Sequence, residues 1–346
     1  MSVTAQTISR SDLRVYAFTR DTVLRGTRDH VFNHDPLTAI FFGKDLRMNS
    51  GGVKMRGSGK SVQVGGAAVQ IRVRLGKHSG SKWMAGPFDT HSVSPDDNVR
   101  LAEANWIHAS GALVITDYDK GVNRGPDAME SFVADQTESV TLALADDVAV
   151  ALQTTSSAAN APTSIDTLVS ASGTVQGLAT SSYSNYAARG ISARGTAPAS
   201  VSFASGSFAQ QGIPNMRTCF NNASEGTFQP NAIFCPYLVH EYYEGALQPQ
   251  ERFAGAVNVA DASFEALAFR KTPVMASPNT PAGYMNMLRI GDDGIQVKVL
   301  EGFDFNFAPF KSGSNQETHV SELQLKCQVI TNNRKIGSNK LTGITA

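Results

Sequence analysis

The run that opens at Gly125-Pro126 constrains this chain more than any other. Met129, Phe132, Val133, Val140, Leu144, Val148 and Leu152 recur at steps near three or four, the period of one helix face. Proline in the first turn lacks only an N–H that has no partner there. Asp127 and Glu130 suit the positive end of the helix dipole. The spacing predicts a helix over 126–153, about 28 residues or roughly 40 Å. Globular helices usually run three or four turns. The simplest reading is a long core helix, and the surrounding segments decide whether it is more.

Upstream, Val69, Ile71, Val73 and Leu75 alternate with Gln70, Arg72 and Arg74. Period two marks a half-buried strand with a basic outer face. The segment 76–98 is loop text, rich in Gly, Ser, Pro and Asp. Two strands flanking it make a projecting β-arm of roughly 40 residues, uncommon in a compact monomeric domain. Ser9 to Leu24 reads as a short helix in an arm that needs a partner for order. Residues 1–80 hold 13 Lys and Arg against 5 Asp and Glu, a net +8, and residues 81–346 hold 17 against 25, a net −8. The whole is neutral. One reading is chance variation; the other is a basic front portion lying on an acidic body, its own or that of the next subunit, through fields that salt weakens.

Downstream, residues 99–111 read as an amphipathic turn and 112–118 as a strand. Ile165 to Val175 reads as helix, 180–211 as irregular and 212–224 as a second helix. A buried strand follows at 232–235, a helix at 237–247 and a strand at 265–275. Ile295, Val297 and Val299, then Leu323, Leu325, Cys327 and Val329, alternate with polar residues, predicting closing strands. The class is α+β. At 346 residues and 41% apolar, the chain has ample material for a core. Charged residues are only 17%, below the usual quarter, which suits a surface buried in neighbours. Cys219, Cys235 and Cys327 are widely spaced, fitting a reducing compartment. The N-terminal residues lack the apolar run of a signal peptide, and no stretch is apolar enough to span a membrane.

Familiar motifs are incomplete. Gly57-Ser58-Gly59-Lys60-Ser61 resembles half a phosphate-binding loop, but Lys54 stands where the first glycine belongs and a strand pattern follows. His240-Glu241 begins a zinc-protease pattern, but Glu244 stands at the second ligand position. His30 and His34 lack a third ligand. Asp96-Asp97 and Asp292-Asp293 lie in turn text. Basic residues in 54–77 lack the aromatic interleaving of a nucleic-acid surface. No catalytic constellation, cofactor or metal site is expected.

The order of elements carries a resemblance. Lys82-Trp83-Met84-Ala85-Gly86-Pro87-Phe88-Asp89-Thr90 resembles the end of the extended loop in major capsid proteins of tailed phages, the HK97-type fold. Ala102-Glu103-Ala104-Asn105-Trp106 resembles the strand entry after it, and Asp119 to Gly125 the turn before the spine helix. The segment from Asn231 to Tyr243 resembles the passage from apical strand to helix. Gly302 to Asn333 is similar to the closing strands. The resemblance implies an α+β HK97-like capsid fold: N-terminal arm 1–51, extended loop 52–98, peripheral domain 99–155 with spine helix 126–153, apical domain 156–295, and return strands 296–346. It implies hexamers and pentamers of an icosahedral or prolate head enclosing the genome, assembled in the host cytoplasm and ending in the virion. Implied partners are the chain itself, a scaffolding protein, a portal protein, a decoration or cement protein, and double-stranded DNA touched non-specifically. Candidate inter-subunit contacts are Lys60, Arg72, Arg74, Lys77 and Trp83. The two arginines suit carboxylates next door, and Trp83 suits burial against a neighbour. An encapsulin-like nanocompartment shell of the same fold is the alternative.

Overall fold

The computed structural model describes residues 35–42, 59–90, 95–122, 126–190, 201–202, 211–251, 267–313 and 316–345, without the side chains of 126–131, 201–202 and 246–251. The expected arm helix at Ser9–Leu24, the His30/His34 pair, Lys54, and Gly57 and Ser58 of the glycine-rich motif lie outside them. The described chain divides into two compact units: 108–147 with 302–326, and 35–107 with 148–301 and 327–345.

In the first unit, a strand spans Ile107–Thr116 and ends where Thr116 and Asp119 cap each other. The Thr116 hydroxyl donates to Asp119 Oδ2 at 2.8 Å, and the Asp119 amide donates back to Thr116 Oγ1 at 3.1 Å. This reciprocal cap starts the helix Asp117–Val122. Leu113 and Ile115 are buried while Val114 is exposed, the alternation a pleated strand imposes. The helix Pro126–Gln153 has 28 residues, and its inner stripe includes Phe132 and Leu144 in this unit. Strand Thr318–Thr331 pairs here with Asn306–Phe307 and Lys311–Ser312, both antiparallel.

In the second unit, the helix continues its stripe through Val148, Ala149 and Leu152. The remainder of Thr318–Thr331 pairs antiparallel with Ile295–Leu300, which pairs in parallel with Lys60–Gln63. A five-stranded sheet runs in the order Asn339–Leu341, Met285–Leu288, Ala232–Cys235, Thr272–Ala276, Ala268–Phe269. Its central strand is buried at all four positions, as its unbroken apolar text requires. Helices Ile213–Ala223 and Tyr237–Glu251 flank that core: Met216, Cys219, Phe220, Val239 and Tyr243 cluster with Ile233, Val274 and Met287.

Three expectations need correction. Residues 99–111 are not a turn: Val99–Asn105 is a strand. Its buried positions are Ala102 and Ala104, whose small side chains hide the alternation. Residues 165–175 are not one helix: Ile165–Leu168 stops after a turn, and Thr174–Val175 forms a hairpin with Leu178–Ala179. Gln176 and Gly177 carry φ of 50° and 76° at its bend, the mirror-image turn that tight hairpins select. The strand expected at 265–275 is, over its described residues, two strands, Ala268–Phe269 and Thr272–Ala276, bent at Arg270 and Lys271, φ 50° and 67°. Neither residue type signals such a turn. Arg270 stacks on Phe220 at 5.3 Å and donates to Asn221 Oδ1, which helps hold it.

Candidate subunit interface

Strands Ala68–Arg74 and Val99–Asn105 form an antiparallel hairpin in register from Ala68 opposite Asn105 to Arg74 opposite Val99. The Leu75 amide closes it on Asn98 O at 2.8 Å. One face carries Val69 and Ala104, which pack with Ile330 and with partly buried Ile71 and Trp106. The Trp106 indole N–H donates to Gly66 O at 2.9 Å. The opposite face is exposed and carries Arg72 and Arg74 beside the apolar Leu101 and Val99. A two-stranded hairpin is marginal by itself, and this one has one apolar face covered and one half-apolar face open.

The connection between the strands shows no helix or strand among its described residues, yet it is held in shape. Lys82 Nζ sits 2.6 Å from Asp89 Oδ1, and the Ala85 amide donates to Asp89 Oδ2 at 3.2 Å. The Lys82 hydrogen bond, seconded by that amide, holds the Asp89 carboxyl below its ordinary pKa. The Ser79 amide donates to Asp96 Oδ2 at 2.7 Å. This clamp presents two rings almost bare to solvent: Trp83 is 100% exposed and Phe88 96%. Large apolar side chains displayed together on a clamped loop mark an interaction surface.

Where the strands run into their connection lies a cleft of about 410 Å³ walled by Arg72, Arg74, Asn185, Arg189, Glu225, Arg334 and Lys335. Asn185 Nδ2 donates to Leu75 O at 2.9 Å, and Arg100 Nε donates to the Tyr183 hydroxyl at 3.2 Å. Arg189 Nη2 pairs with Glu225 Oε2 at 2.5 Å. Arg334 is only 3% exposed. Its Nε donates to Leu168 O at 3.0 Å and its Nη2 to Ser170 O at 2.6 Å, and its guanidinium stacks 5.4 Å from the centre of the Tyr186 ring. Burial lowers the Arg334 pKa and pushes that of the Tyr186 phenol up to about 12.

The five residues singled out from sequence do not form one site. Arg72 and Arg74 stand together at the cleft. Trp83 is at the bare end of the loop, and Lys77 is exposed in it without an ion pair among the described residues. Lys60 belongs to the strand beside Ile295–Leu300, with its ammonium 5.8 Å from the Phe42 ring. Because Lys60 lies in that strand and not at a helix entrance, its motif has no phosphate-loop geometry. Among the described residues no three His, Cys, Asp or Glu side chains group as a metal site, and no helix is long and apolar enough to cross a membrane. Asp97 pairs with Arg100 at 2.5 Å and Asp293 with Arg289 at 3.8 Å. Sequence reasoning missed Arg189, Arg334 and Lys335, which tertiary folding alone brings to Arg72. Phe88 was readable, as an aromatic in the same glycine-bearing loop as Trp83.

A 28-residue helix, a hairpin with a clamped connection and a five-stranded sheet, in an α+β chain, match the HK97-like capsid fold. Solved structures with that fold follow this chain almost end to end. The match to a chain of the cyanophage A-1(L) capsid asymmetric unit has a TM-score of 0.56 at 11% identity, over 94% of this chain and 97% of that one. A capsid chain of the native GTA particle gives 0.55 at 11% identity, over 94% and 95%. The capsid of Myoviridae phage XM1 gives 0.52 at 8% identity, over 95% and 97%. No protein-family profile and no curated protein sequence matches.

Proposed function

We propose that this chain is the major capsid protein of a tailed bacteriophage, which builds a closed head from hexamers and pentamers of itself and does so without catalysis. The observation that carries this reading is the clamped loop with Trp83 and Phe88 in open solvent, set in a capsid fold. Such rings gain free energy only when a neighbour covers them, roughly 25 cal/mol for each Å² removed from water. Head-to-tail contacts close into rings when the rotation allows, and many weak contacts per subunit make the shell more stable than any pair.

The domain boundaries we assign are arm 1–51, extended loop 52–98, peripheral domain 99–155 and 296–346, and apical domain 156–295. Assembly takes place in the host cytoplasm with a scaffolding protein and a portal, and a cement protein is a further partner. Packaged double-stranded DNA meets the shell non-specifically, because base readout needs side chains aimed into a groove.

Electron microscopy of the purified chain, alone and with a scaffold from the same genome, tests the reading. Closed shells support it. A strictly monomeric particle at high concentration under both conditions overturns it.

A further inference from the structure

The cleft at the loop end of the hairpin is short of negative charge. Arg72, Arg74, Arg189, Arg334 and Lys335 line it, and the one carboxylate among the lining residues, Glu225, is engaged by Arg189. Arg334 is the unusual member. It is 3% exposed, and no described carboxylate meets it; its described partners are backbone carbonyls and the Tyr186 ring. One donor atom of Arg334 and one of Arg189, the Nη1 in each, are buried without a hydrogen-bond partner. Buried cations are normally paired. Arg72 and Arg74 make no ion pair among the described residues, so they add charge to the wall without neutralising it.

The complementary feature is on the same chain. Helix Pro126–Gln153 contains six acidic residues, Asp127, Glu130, Asp135, Glu138, Asp146 and Asp147, and no Lys or Arg. Asp127 and Glu130 suit its N-terminus. Asp135 and Glu138 lie beyond the first turn, three apart, where like charges repel on a helix face. Neither makes an ion pair among the described residues, and Glu138 is exposed.

We propose that this five-cation cleft is a carboxylate-receiving site, and that its occupant is the Asp135–Glu138 edge of the long helix in a second copy of this chain. The inference rests on the shell reading and deepens it by naming both halves of one contact. Guanidinium groups fork onto carboxylates with fixed geometry, so the contact sets the angle between neighbours as well as their attraction. The volume of about 410 Å³ accommodates one or two side chains.

Charge reversal tests both halves in the full-length chain, with assembly followed by light scattering and microscopy and folding checked by circular dichroism. Arg72→Glu with Arg74→Glu is expected to raise the concentration needed for shells at least about tenfold. Asp135→Lys with Glu138→Lys is expected to do the same, and the fourfold variant to recover most of the loss. As a route independent of charge reversal, Arg74→Cys with Glu138→Cys in otherwise unchanged shells is expected to give disulfide-linked multimers on oxidation.

Wild-type shells accompanied by normal assembly of either reversed pair would overturn this contact and leave the shell reading intact. So would failure of the fourfold variant to recover, or absence of disulfide multimers. Normal shells whose only defect is reduced DNA content would assign the cleft to phosphate instead. A wild-type chain that never self-associates would remove the shell reading and this one with it.

Discussion

Asp35 is completely buried, and its carboxyl is the hub of a polar knot in the second unit. It accepts from the Thr38 amide at 3.0 Å, the Thr38 hydroxyl at 3.1 Å, Gln153 Nε2 at 2.7 Å and the Ser277 hydroxyl. Gln153 Oε1 in turn accepts from Thr280 Oγ1 at 2.6 Å. The knot starts the helix Pro36–Phe42 and fastens the last residue of the long helix to the chain near 277. Asp35→Ala strands several buried donors at once and is expected to cost roughly 2–4 kcal/mol, read as a lower denaturant midpoint. An unchanged midpoint would mean the knot is dispensable. The thiols behave oppositely. Burial pushes both Cys219 and Cys235 up to about 12 from an ordinary 9.0. A folded-state pKa above the unfolded value means full stabilisation below pH 9 and progressive loss as pH rises from there towards 12. At pH 8 alkylation of these two thiols is expected to track unfolding, and rapid labelling of the native chain would contradict their placement.

At the scale of elements, Gly111 shows how closely the strand Ile107–Thr116 and the long helix approach within the first unit. A Cβ on Gly111 would lie 2.6 Å from Val140 Cγ1. Gly111→Ala is expected to destabilise by about 1–3 kcal/mol through overpacking, and Val140→Ala should relieve part of it; equal melting points for both variants would refute the crowding. The long helix was the most legible element because its stripe repeats over seven turns and a proline marks its start. The central strand Ala232–Cys235 was legible because every position is apolar. What escaped was written in small or unremarkable residues. Ala102 and Ala104 bury one face of a strand while Leu101 and Val99 point outward, the reverse of the usual signal. The bends at Gln176 and at Arg270-Lys271 put non-glycine residues at positive φ. The alternation puts Arg72 and Arg74 on one strand face, and only the resemblance makes them interface candidates. Their companions Arg189 and Arg334 lie more than a hundred residues away, and no local pattern links them.

For the whole molecule, the division of charge matters more than its neutral total. Where residues 1–80 of one copy, net +8, meet residues 81–346 of another, net −8, they attract through a field that salt screens, and the bare rings of Trp83 and Phe88 add an apolar contribution that it does not. Raising ionic strength from roughly 0.05 to 0.5 M shortens the screening length to below 5 Å, so the concentration needed for shells should rise several-fold and then level off. A monotonic fall would show that apolar contact alone drives assembly. Trp83 reports the same event by fluorescence: with Trp106 replaced by Phe, emission is expected to move to shorter wavelength as subunits join, and constant emission would exclude burial of that ring.

Strand Thr318–Thr331 gives residues 318–326 to one unit and 327–331 to the other. In chain order it follows every strand it pairs with. A chain made only as far as residue 317 therefore lacks the strand that both units share. Both units thus depend on one late segment, and a break within it removes a pairing edge from each.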